Sequence, residues 1–204
     1  TRLLRISNPF DDPFDWKVIA TDVPFTSSRL QWAAAATFEE SSGFVFILGE
    51  YENRDSVLSR IHFSEIAQDR LDQMEVLNSD GNFIRISSEV KLKPLFSDGV
   101  PETSLFWNKF ISKWCALIIP AFTNKVFIRT STAITGPWSE LQEIYRIPDL
   151  FVTSGNFAYA PKSHPELCSS PNEIIWTFMS NSLTSMTPPS PIYVPQVIRT
   201  IIKL

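Results

Sequence analysis

Apolar residues along this chain come in short alternating stretches or unbroken runs, almost never at the three-and-four spacing of an amphipathic helix. Gly, Pro, Asn, Asp and Ser punctuate the runs, which is the pattern of short strands joined by turns. One helical turn is expected, over residues 64–71. Everything else predicts an all-β chain.

The runs fall into three groups. The first opens with residues 32–38, turns at Glu40-Ser41-Ser42-Gly43, continues through 44–49 and 57–63, and ends on an outer strand over 73–77. The second takes 103–107, 114–119, 126–131 and 141–145. The third takes 157–160, 174–179 and, after a long Pro/Ser loop, 193–202. The second strand of each group starts at Phe44, Trp114 and Ile174, a recurrence at similar but unequal spacing that reads as a structural repeat with loop insertions. Each unit reads as inner strand, apolar middle strand, third strand, outer strand, the four-stranded blade of a β-propeller. Residues 44–48 and 116–119 are continuously apolar, as suits strands buried on both faces. The expected blades are residues 26–80, 100–148 and 155–204. Three blades do not close a ring, and 16–20 reads as an outer strand whose own blade lies upstream. The chain therefore reads as a partial ring, its N-terminal blades supplied by a parent chain, or else as a smaller β-sandwich.

Composition narrows the function classes. Hydrophobic residues are 44% and aromatics 13% of 204 residues, which suits a packed domain. The net charge of −4 offers no basic footprint for nucleic acid. No apolar run is long enough to span a membrane, and no signal peptide is visible. Cys115 and Cys168 have no metal-site spacing and read as free thiols. No Asn-x-Ser/Thr sequon occurs. There is no phosphate-cradling Gly-rich loop and no Gly-x-Ser-x-Gly elbow. His62 and His164 stand far apart without a ligand pattern. Asp11, Asp12 and Asp15 read as a solvated loop rather than a calcium site. No metal and no cofactor is expected.

Several segments together resemble a family: Asp15-Trp16, Trp32-Ala33-Ala34-Ala35, Phe46-Ile47-Leu48-Gly49, Gly136-Pro137-Trp138-Ser139, Tyr159-Ala160-Pro161-Lys162-Ser163-His164-Pro165-Glu166-Leu167, and Tyr193-Val194-Pro195-Gln196-Val197-Ile198-Arg199. Their order and spacing look like the back half of uncharacterised bacterial and fungal five-bladed propeller domains. Those domains are similar to the glycoside hydrolase superfamily of arabinanases, xylosidases and levansucrases. The resemblance covers roughly residues 15–202. Ala33 departs from it where the family pattern tends to have Gly, and Val194 where it tends to have Arg. The early blades that carry the family's nucleophile or base Asp have no counterpart here. The resemblance implies a glycosidase-like five-bladed β-propeller, a saccharide ligand and a secreted or extracellular setting.

Polar residues on inner strands face the funnel of a propeller and are the first site candidates. Glycoside hydrolysis needs two carboxyl groups across the scissile bond. Glu102 and Glu166 are the pair expected at inner-strand positions. His164, Lys162, Trp32 and Arg29 are the expected substrate-binding residues, with Trp32 or Trp107 stacking against a sugar ring. Each has a plainer reading. Glu166 suits a turn after Pro165, Glu102 a solvated loop, His164 a structural hydrogen bond and Trp32 the inter-blade core. The rival functional reading is a non-catalytic module, degenerate or truncated, that binds sugar or protein.

Overall fold

A computed structural model describes residues 1–24, 29–87, 89–152, 155–183 and 193–202, the side chain of Asn53 excepted. The fold is all-β. Among the described residues the one α-helix, α1, is a short turn at Phe63–Ala67, overlapping the segment expected to be helical. The strands are β1 (Arg2–Ile6), β2 (Val18–Asp22), β3 (Gln31–Glu39), β4 (Phe44–Tyr51), β5 (Asp55–His62), β6 (Glu75–Leu77), β7 (Phe83–Arg85), β8 (Pro94–Phe96), β9 (Ser104–Asn108), β10 (Lys113–Ile118), β11 (Lys125–Ser131), β12 (Gln142–Arg146), β13 (Asn156–Ser163), β14 (Glu173–Ser182) and β15 (Gln196–Ile201).

These strands form four antiparallel sheets. Among the described residues none closes into a barrel. β3 to β7 follow one another in the first large sheet, and β8 adds to β5. β9 to β12 form the second and β13 to β15 the third. In all three, strands consecutive in sequence are neighbours in the sheet, β8 excepted, and pair antiparallel. The first sheet runs on past residue 80 through β7 and β8, short strands without a periodic signature. Residues 26–28 and 203–204 of the expected blades lie outside the described residues, as does most of the Pro/Ser loop, 184–192.

Residues 16–20, expected as an outer strand, contribute to β2, which pairs with β1 in register Ile6↔Val18. This hairpin packs on the first sheet. Leu3 and Val23 join the cluster of Trp32, Val57, Ile61 and Val76, and Thr1 Oγ1 donates to Trp32 O at 3.1 Å.

Sheet-on-sheet packing supplies the core. β10 has Trp114 through Ile118 buried without alternation, because neighbouring sheets cover both its faces. Leu117 and Val126 of the second sheet pack with Trp176 and Phe178 of the third. Phe46 and Leu48 of the first pack with Leu105 and Trp114 of the second. β14 alternates instead, burying Trp176 and Phe178 while Ile175 and Thr177 remain half-buried. Cys115 is buried, and burial pushes its thiol up to about 12, which makes it an inert core residue. The Gly136-Pro137-Trp138 turn seats Trp138 edge-on against Phe96 at 5.6 Å, with its Nε1 donating to Ile134 O at 3.2 Å.

Candidate functional site

The first strands of the three large sheets, β3, β9 and β13, lie side by side. Two carry a bulge at the same place after an aromatic residue. The β3–β4 ladder shifts between Trp32 and Ala35, and the β13–β14 ladder shifts between Tyr159 and Lys162. Ala33 and Ala160 take the extra residue's positive φ, 103° and 53°. A bulge frees backbone groups from the ladder, and here they are used between sheets. Ala34 O accepts from Thr103 N at 2.9 Å and from Lys162 Nζ at 3.2 Å. Thr103 O accepts from the same Nζ at 2.6 Å, and Ser163 N donates to Ser104 Oγ at 2.9 Å. Lys162 therefore ties three sheets together at their centre. Burial draws its ammonium below the ordinary lysine value, and the negative charge of Glu102 pulls it back up.

Beside this clamp opens a cleft. The loop entering β9 is pressed onto the β4–β5 hairpin, where Gly99 N donates to Arg54 O at 2.8 Å. A Cβ at Gly99 would stand 2.6 Å from that oxygen, so only glycine allows the approach. The loop thereby sets Pro101 and Glu102 next to Glu50 and Arg54. Two cavities adjoin here. One of about 310 Å³ is lined by Glu50, Arg54, Glu102, Phe122, Phe157 and Tyr159, among others. The second, of about 610 Å³, adds Arg29, Gln31, Tyr51 and Glu52 and shares Glu50, Arg54 and Pro101 with the first.

Two carboxylates, Glu50 and Glu102, thus line one cavity. Arg29 pairs with Glu52 at 3.0 Å at the cleft's outer edge. Arg54 holds a positive φ of 66°. The remaining wall is aromatic, with Phe122–Phe157 ring centroids 6.2 Å apart and Phe157–Tyr159 centroids 5.5 Å apart. The Tyr159 hydroxyl is raised above the ordinary tyrosine value, first by burial and then by Tyr193 and the charge on Glu102, with an Asn181 hydrogen bond opposing. Carboxylates, guanidinium groups and aromatic rings around one opening suit a ligand with hydroxyl groups and apolar faces together.

The residues expected from sequence are distributed differently. Glu102 and Arg29 line the cleft. Lys162 lies at the centre, but its amine is engaged by two carbonyls. Trp32 is 3% exposed, in the core between the first sheet and the N-terminal hairpin. A Cβ at Gly49 would stand 2.6 Å from its ring, so only glycine there leaves room for Trp32. Trp32 is therefore a packing residue and not a sugar platform. The backbone does leave the sheet at Pro165, in a 3-10 turn over Pro165–Leu167, but the turn delivers Glu166 to solvent. Its carboxylate is exposed and meets His164 Nδ1 at 3.2 Å, while His164 Nε2 meets Thr177 Oγ1 at 3.0 Å. Glu166 and His164 are brought together; Glu166 does not line the cavity that holds Glu102. The carboxylate that shares a cavity with Glu102 is Glu50. Its signal was present in the sequence, as the first charged residue after the apolar run 44–48 and its closing Gly49.

Another cavity, of about 410 Å³, lies between Phe106, Asn108, Cys168, Ser169 and Glu173. Its one buried carboxylate is saturated. Glu173 accepts from Ser169 N at 2.7 Å, from Ser169 Oγ at 2.9 Å and from Ser170 N at 3.3 Å, and pairs with Arg199. The Ser169 backbone bond first, then Arg199 and the Ser169 hydroxyl, hold its carboxyl at about 2. This group orders its own loop. Asp11 and Asp12 likewise serve theirs, accepting from Asn8 Nδ2 at 2.7 Å and from Phe14 N at 2.9 Å. Among the described residues no group of His, Cys, Asp and Glu is arranged to hold a metal ion, and no helix is long and apolar enough to cross a membrane.

No family model matches the chain, and no curated protein matches it. Among solved structures, the chain is similar to one from Bacteroides ovatus ATCC 8483 described as "a putative hydrolase", at a TM-score of 0.63 and 15% identity. The match covers 83% of this chain and 44% of that one, so the chain spans less than half the length of its structural neighbour. At this identity the likeness shows a shared fold.

Proposed function

We propose that this chain is part of a five-bladed β-propeller of the arabinanase, xylosidase and levansucrase type, and that it takes a saccharide in the cleft between Glu50 and Glu102 and hydrolyses a glycosidic bond there. The propeller reading is supported by three meandering sheets stacked face to face with their first strands adjacent. A longer solved structure shares this all-β fold. The observation that carries the functional reading is the pair of carboxylates lining one cavity, flanked by Arg54 and by the Phe157 and Tyr159 rings. That neighbour's description as a hydrolase agrees with it.

The chemistry follows from the pair. One carboxylic acid gives its proton to the glycosidic oxygen as the C–O bond breaks. The other, ionised, either takes a proton from the attacking water or bonds the anomeric carbon until water displaces it. The test is release of reducing ends from arabino-, xylo- and fructo-oligosaccharides by the 204-residue chain. Glu50→Gln and Glu102→Gln should each lower the rate about a hundredfold or more with the circular dichroism unchanged, because an amide neither delivers nor accepts the proton. Binding without release would assign the cleft to a non-catalytic sugar-binding module. Neither binding nor release would overturn the proposal.

A further inference from the structure

Phe122 is unusual in two respects. It sits at the tip of the β10–β11 loop with a φ of 58°, a left-handed conformation that costs a residue bearing Cβ. Its side chain is also 76% exposed, so burial does not compensate for that conformation. The loop is held by its own bonds, Thr123 N and Oγ1 both donating to Pro120 O. A strained backbone that presents a bare aromatic ring beside a cavity is the arrangement expected where the ring meets a ligand. From Phe122 the rings continue inward as a row through Phe157 and Tyr159, and the charge on Glu102 acts on the Tyr159 hydroxyl at the inner end.

We infer that Phe122, Phe157 and Tyr159 form a track for successive rings of a saccharide chain, so that the ligand of the cleft is an oligosaccharide and Phe122 sets its outermost subsite. The inference rests on the saccharide reading above. Each pyranose or furanose ring offers an apolar C–H face to an aromatic ring and keeps its hydroxyls free for Arg54 and the carboxylates. A single sugar reaches only the inner end of the row. A chain of several engages all of it, and affinity grows with length until Phe122 is covered.

The experiment is calorimetric titration of the chain with xylo-, arabino- and fructo-oligosaccharides of increasing length, from the monosaccharide upward. The wild type should bind the longest member of at least one series tenfold or more tighter than its monosaccharide. Phe122→Ala should collapse that ratio to within about twofold, and Phe122→Tyr should restore it. Nuclear Overhauser contacts from sugar ring protons to the Phe122 ring in the wild type report the same subsite without a variant. Length-independent binding, a ratio unchanged in Phe122→Ala, or absence of those contacts would overturn the track while leaving the saccharide cleft in place. Failure of every sugar, at every length, to bind would overturn both.

Discussion

Replacing Ala33 by glycine should make the protein more stable, against the usual direction of an Ala→Gly change. Ala33 lies at φ 103°, beyond even the left-handed helical well. A Cβ there costs on the order of 1–2 kcal/mol. The methyl group points to solvent, so its removal forfeits little burial. Against the relief stands the greater entropy of glycine in the unfolded chain, about 0.4–1 kcal/mol. The balance is a gain of about 0.5–1 kcal/mol, or roughly 1–4 °C in melting temperature for a domain of this size. Ala160 provides the internal control. Its φ of 53° lies inside the left-handed well, so strain and entropy nearly cancel and Ala160→Gly should be close to neutral. The assay is urea unfolding of both variants beside the wild type. If Ala33→Gly destabilises, the bulge after Trp32 does not have this conformation, and the carbonyl of Ala34 is not turned toward Lys162.

Three further outcomes follow from the packing and the charges. Lys162→Met removes two bonds from a charged donor while sparing the cost of burying an ammonium, so urea unfolding should show a net loss of about 2 kcal/mol; a neutral result would mean the three first strands do not depend on the clamp. Trp138→Ala should cost about 2 kcal/mol in the same assay, below the full-burial figure because the ring is only half-buried; a loss under about 0.5 kcal/mol would show that Trp138 does not pack on Phe96. Glu173 has a folded pKa of about 2 against an ordinary 4.5. Its contribution is therefore fully present above the ordinary value and is lost as pH falls from there toward 2. Stability followed by chemical denaturation should drop across that window in the wild type, and Glu173→Gln should flatten that part of the profile.

The strand order was legible because it depends on local pattern. The continuous run in β10 names its own burial, whereas β4, expected to be buried on both faces, leaves Phe44, Val45 and Ile47 half-buried; the expected second strands begin within a residue of the observed ones. β7 and β8 escaped notice because three residues carry no period. The partner of β2 was missed because Arg2 and Arg5 interrupt the apolar pattern of Arg2–Ile6, one on each face. The site was less legible, since the side on which a chain leaves a sheet is set by neighbours distant in sequence. Pro165 does end its strand, as expected from its missing N–H, yet the turn that follows is drawn to solvent and takes Glu166 with it. Trp32 looked like a sugar platform until Gly49, seventeen positions on, proved to make room for it in the core. Ala33, where the resembled family favours glycine, does occupy a glycine-like conformation.

The central claim is that the cleft lined by Glu50, Arg54, Glu102 and Tyr159 is where this protein meets a saccharide. Backbone amide spectra recorded during titration with the oligosaccharides test it most directly, because they locate the ligand without assuming chemistry. The account predicts shifts that saturate together and cluster at Gln31, Glu50, Arg54, Glu102, Phe157 and Tyr159. Shifts centred on Asn108 and Ser169 around the other cavity, or no shifts with any sugar, would contradict it.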